Sequence, residues 1–118
     1  MIPSAGLTRL LEMMLNTVTA VTPYCAVGSG ATAPAAGDTT LTTEITRVQA
    51  ATVTVSGNVA TIKTFFNTAQ GNGSIAETGL LTLSSGGVLL EHSLETPAQV
   101  KASSQEMIVE YSITLDNA

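Results

Sequence analysis

Tryptophan is missing from this chain, and its aromatics are two Tyr and two Phe in 118 residues. Stacking platforms for sugars or bases therefore have little to be built from. A single cysteine, Cys25, excludes an internal disulfide framework. With one histidine, His92, it also leaves too few soft ligands for a zinc site inside one chain. Charge is scarce: 11% of residues are charged, against roughly 25% in ordinary soluble domains. The basic residues Arg9, Arg47, Lys63 and Lys101 stand singly in a chain of net charge −5. They form no stripe, so no nucleic-acid partner is expected. Leu10, Leu11, Met13, Met14 and Leu15, with Arg9 and Glu12 among them, are too short a run to cross a bilayer. The segment also lacks the layout of a signal peptide. A soluble chain made in the cytosol, with no membrane partner, is expected.

Thr, Ala, Ser and Gly fill the space that charge leaves. Thr supplies polar surface at low volume and favours strands. The clearest element is Gln105 to Asp116, where Met107, Val109, Tyr111, Ile113 and Leu115 alternate with Glu110, Ser112, Thr114 and Asp116. Such period-two patterning marks a half-buried strand, with Ile108 out of step. At the other end, Pro3, a Ser4 cap and Leu7, Leu10, Leu11 and Met14 at i, i+3, i+4 and i+7 predict an amphipathic helix over 4–16. Its stripe is wide, and it needs a sheet or another subunit to cover it. Tyr24 to Val27 reads as a short buried strand, with Cys25 as a small core hydrophobe.

Gly28 to Thr43 shows no periodicity, and loops of such length tend to be functional or to order against a partner. Asp38 is placed to start a turn there. From Glu44 the chain turns to strands. A loosely alternating run, Ile45 to Val55, and Val59 to Phe66 flank Ser56-Gly57-Asn58. Ile75 to Leu83 and Val88 to Ser93 flank Ser84-Ser85-Gly86-Gly87. Thr96 to Ser104, with Pro97, reads as a polar connection. One structural domain over 1–118 is expected: a mainly β fold, an antiparallel β-sandwich or small barrel with one N-terminal helix.

Candidates for chemistry fail on geometry. Glu91, His92 and Ser93 are strand neighbours pointing to alternate faces, so they form no triad. His92 reads as a polar residue on the exposed face of a hairpin strand. Glu91 with Glu95, or Glu106 with Glu110, offer paired carboxylates but no aromatic platform for a sugar, so their plain role is solvation of strand faces. Gly28-Ser29-Gly30 lacks the Lys-Ser/Thr of a nucleotide-binding loop. No catalytic residue, metal ligand or cofactor is expected.

Several segments together carry a resemblance. Ala26 to Leu41, AVGSGATAPAAGDTTL, resembles a VGxGxTAPxxGDTxL stretch of small tail and virion proteins of tailed bacteriophages. Glu44 and Arg47 stand where that family often has an acidic residue and Arg. Gly73 to Leu80 resembles its GxIxExGL segment, and the leading helix and the closing part from His92 to Leu115 are also similar. The resemblance implies a non-enzymatic virion protein that works as an oligomer. The first expectation is a head decoration (cement) protein, a homotrimer bound to the major capsid protein. A tail, neck or fibre-base component, or a small carbohydrate-binding β module, are the alternatives. Leu7, Leu10, Leu11 and Met14 on the helix, and Gly28, Gly30, Pro34, Gly37, Asp38 and Leu41 on a docking arm, are the expected interaction residues.

Overall fold

A computed structural model describes residues 1–15 and 17–115. The order is α1 (Ser4–Met14), β1 (Tyr24–Gly28), β2 (Glu44–Gln49), β3 (Thr52–Ser56), β4 (Val59–Phe66), β5 (Gly73–Leu81), β6 (Leu89–Lys101) and β7 (Met107–Thr114). All ladders are antiparallel, in two sheets ordered β2-β1-β5-β6 and β3-β4-β7. The fold is a β-sandwich with one short N-terminal helix, as the alternation and glycine punctuation require. The ends expected at Asn16 and Asp116 lie outside the described residues.

β7 keeps its alternation throughout, Met107, Val109, Tyr111 and Ile113 half-buried and their neighbours exposed. Ile108 lies on the outer face directly opposite Phe65. Gly57 at φ +60° closes the β3–β4 hairpin, a backbone angle that suits a type I′ turn. Gly86 and Gly87, also at positive φ, turn the chain between β5 and β6. The run expected as one strand from Ile45 to Val55 is two. Its first half pairs with β1 and its second with β4, so the chain changes sheets at Ala50-Ala51.

Several boundaries shift from the sequence reading by a few residues, β5 for one spanning Gly73–Leu81 in place of Ile75 to Leu83, and two differences go further. β6 does not stop at Ser93 but runs to Lys101, through Pro97. This is possible because β6 is an edge strand, where a missing N–H costs no ladder bond on its open side. Lys101 is accordingly not on a loop: it is buried and donates to Asn72 Oδ1 at 2.7 Å. At the other end, Ser4 lies inside the helix. Pro3 occupies the cap position and no side chain caps the amides.

The core between the sheets is built on Cys25, Val27, Ile62, Phe66, Ile75, Leu80 and Leu90. Tyr111 and Thr78 join across it by a side-chain hydrogen bond. Burial pushes the Cys25 thiol up to about 12, as suits a core hydrophobe with no thiolate at neutral pH. Leu10 and Met13 of α1 pack on this core. Gly6 lets the helix in: a Cβ there would sit 2.6 Å from the Leu89 carbonyl oxygen.

Candidate interaction surface

The second face of the β2-β1-β5-β6 sheet is covered by the 29–43 loop, and one carboxylate fastens it. Glu77 is 0% exposed in the middle of β5. Its Oε2 accepts from the Gly30 amide at 2.9 Å and the Thr43 amide at 2.7 Å. Its Oε1 accepts from the Thr42 amide at 2.8 Å. Both ends of the loop are therefore tied to a single side chain. Burial pushes the Glu77 carboxyl up, but the Thr43 and Thr42 amides, His92 and the Gly30 amide outweigh it and hold the group below its ordinary value.

His92 completes the knot. Its Nε2 lies 2.9 Å from Glu77 Oε1 and its Nδ1 lies 2.8 Å from Asp38 Oδ2. Ionised carboxylates only accept, so both bonds form fully when both ring nitrogens carry hydrogen. The expected exposed position of His92 is corrected: the residue is 2% exposed. It stands opposite Gly79 on the face shared with Glu77, and the loop folds over it. Asp38 also accepts from the Ala35 amide at 2.8 Å, while its own amide donates to the Ala35 carbonyl. It therefore closes a turn rather than starting one. The Ala35 amide, then His92, lower the Asp38 pKa.

The quoted motif residues meet in space. A Cβ on Gly28 would lie 2.4 Å from the Thr43 carbonyl oxygen, and one on Gly30 would lie 2.4 Å from Glu77 Oε2. A Cβ on Gly79 would lie 2.4 Å from Leu41 Cδ1. Leu41 plugs a second apolar cluster with Ala26, Leu81 and Leu89. Arg47 bonds Glu44 at 2.7 and 3.0 Å and holds the Leu83 and Gly86 carbonyls at 2.8 Å. Two of the segments that carry the resemblance, 26–41 and 73–80, meet in one internal lock, joined there by Thr42, Thr43 and His92.

Of the expected interaction residues, Gly28, Gly30 and Leu41 are buried by their own chain, and Asp38 is engaged with His92. Pro34 is half-buried and Gly37 is open, a Cβ there meeting nothing within 4 Å. On α1, Leu10 packs inward while Leu7, Leu11 and Met14 stay exposed. The buried face thus follows Gly6, Leu10 and Met13. Glu77 and His92 are the residues that sequence reasoning passed over as site members. A lone carboxylate between Ile75 and Leu80 was the available signal. Glu91 is also no surface solvator: it is buried, with the Met1 amino group at 2.6 Å and Ser93 Oγ at 2.9 Å.

Two clefts remain. One of about 550 Å³ lies between β6 and β7, rimmed by Glu95, Glu106 and Glu110. The other, about 370 Å³ and almost wholly apolar, opens between α1 and the β3–β4 hairpin. Met14, Val21, Val53, Val55 and Leu115 form its rim and are exposed. Among the described residues no group of His, Cys, Asp or Glu has a metal-binding arrangement, and no helix is long and apolar enough to cross a membrane. No protein-family model matches the chain, and no curated protein matches it.

Proposed function

We propose that this chain is a non-enzymatic structural protein of a tailed-bacteriophage virion, acting as a head decoration protein that binds the capsid surface as an oligomer. The observation that carries the reading is the apolar surface left open on a chain with so few charges: Leu7, Leu11 and Met14 on the helix, Val53 and Val55 on β3. Exposed apolar area of this kind marks a surface meant to be covered by protein. The titratable cluster of Glu77, His92 and Asp38 is spent on holding a loop. The resemblance of 26–41 and 73–80 to phage virion proteins supplies the particle.

In this role weak contacts multiply by symmetry, and a surface poor in charge is cheap to desolvate. The largely exposed stretch Ala31 to Ala36, in the loop that Glu77 fastens at Gly30 and at Thr42-Thr43, offers small side chains that lie flat on a neighbouring backbone. The test is a quantitative count of the protein in purified particles of the encoding phage, with and without residues 31–36. A copy number matching the capsomers, lost on deletion, is expected. A count matching a single ring moves the protein to the neck or tail. Absence from particles, or turnover of a substrate, overturns the reading.

A further inference from the structure

Strands β2, β6, β3 and β7 form the edges of the two sheets. Three of them carry features that discourage a new strand from adding. β2 has Glu44 and Arg47, β6 has Glu95 and Pro97, and β7 has Glu110. β3 has none: it reads Thr-Val-Thr-Val-Ser and every residue is exposed. The sequence carries no charge between Arg47 and Lys63. Val53 and Val55 stand opposite Ile62 and Ala60, so they belong to the core face of their sheet. The facing sheet does not reach them, and Val55 is 74% exposed on the rim of the apolar cleft.

We propose that β3 pairs antiparallel with β3 of a second copy, about a two-fold axis at Thr54, and that the two apolar clefts close on each other. Charge selects this occupant. Copies with a net charge of −5 repel, so a self-contact belongs where charge is missing, and β3 is that place. The register matches like with like: Thr54 on Thr54, Val53 on Val55, Thr52 on Ser56. The bonding pattern agrees. In a two-residue hairpin the closing pair, here Ser56 and Val59, is hydrogen-bonded. Alternation then turns the amides of Val53 and Val55 outward, free to bond the second copy.

A two-fold axis normal to the sheet keeps both core faces on one side. The rims formed by Met14, Val21 and Leu115 then approach those of the second copy. That contribution is needed, because a five-residue strand pair is far smaller than the roughly 1,200–2,000 Å² of a stable interface. The inference deepens the oligomer in the proposed function. Its test uses the purified chain with no particle present, so its failure leaves particle binding to its own experiment.

Sedimentation equilibrium of the wild type should show a monomer–dimer equilibrium. Val55→Glu should weaken association by roughly a hundredfold, as an unpaired charge in an apolar contact does. Its far-UV circular dichroism should be unchanged, since Val55 has little to lose in the monomer. Thr54→Cys should form an intermolecular disulfide on mild oxidation, because non-hydrogen-bonded pairs bring Cα atoms to about 4.5 Å. Thr68→Cys, on the exposed turn after β4, should not. A wild type that stays monomeric at high concentration overturns the proposal and leaves the edge to a strand of another protein. An oligomer indifferent to Val55→Glu, or a Thr54→Cys chain that crosslinks no faster than Thr68→Cys, overturns it too.

Discussion

The two sheets draw on the same Thr, Val, Ile and Ala vocabulary and end in opposite situations. In the β2-β1-β5-β6 sheet, β1 and β5 are buried on both faces, one against the core and one beneath the 29–43 loop. In the β3-β4-β7 sheet, one face is in water and even the core face runs out at β3. The covered sheet therefore admits a carboxylate and an imidazole, which hold down its lid. The bare sheet keeps only alternation, and its unfinished edge is apolar. Internal polar bonds finish one half of the molecule, and the other half leaves Val53 and Val55 of its edge strand open to solvent.

The sharpest way to break this contrast is to remove the fastener. Glu77→Ala leaves three amides and the His92 ring without their acceptor in a buried site. The expected loss is about 3–5 kcal/mol of unfolding free energy, read from urea denaturation. Glu77→Gln keeps the shape and should cost less than the alanine. If Glu77→Ala unfolds at the wild-type midpoint, the loop is not held as described.

The glycines give the next largest effect. Gly30→Ala forces a methyl against Glu77 Oε2 and Thr42 Cβ, and overpacking of this kind costs about 1–3 kcal/mol. Gly37→Ala, in the same loop with nothing within 4 Å, should stay within about 0.5 kcal/mol. Equal costs at the two positions would mean that composition, and not contact with Glu77, explains the glycines.

Acid probes the lock without mutation. Glu77 and Asp38 both have folded-state pKa values below the ordinary ones. Their contribution is present above the unfolded values, near 4.3 and 3.9, and is lost as pH falls through the folded ones. Thermal melts should therefore drop steeply below about pH 4. Glu77→Gln should flatten that drop, being already without the ionised group. A variant as acid-sensitive as the wild type would place the titration elsewhere.

How far the sequence spoke also divides along the two sheets. β7 and the β3–β4 hairpin were legible because one wet face leaves a period-two trace and a two-residue turn needs its glycine. The covered sheet was harder to read. With both faces buried, β1 and β5 show no alternation. His92 was misread because a register shift between Leu80 and Leu81, and the loop above it, decide which face it joins. Gly30 stands out only as part of a glycine pattern, and its reason lies 47 residues away in Glu77. Local spacing carries no trace of a contact that distant.

The smallest effect lies on the outer face of the bare sheet. Phe65 and Ile108 are directly opposite each other in the β4/β7 ladder, and both are exposed. Cross-strand pairs of an aromatic and a β-branched residue contribute about 0.2–1 kcal/mol. A double-mutant cycle of Phe65→Thr and Ile108→Thr should return a coupling in that range, independent of protein concentration. The same cycle sharpens the contrast between surfaces. Coupling that grows with concentration would mean that a second copy covers this outer face too. The partner's footprint would then extend beyond the β3 edge, around to the side that alternation assigns to water.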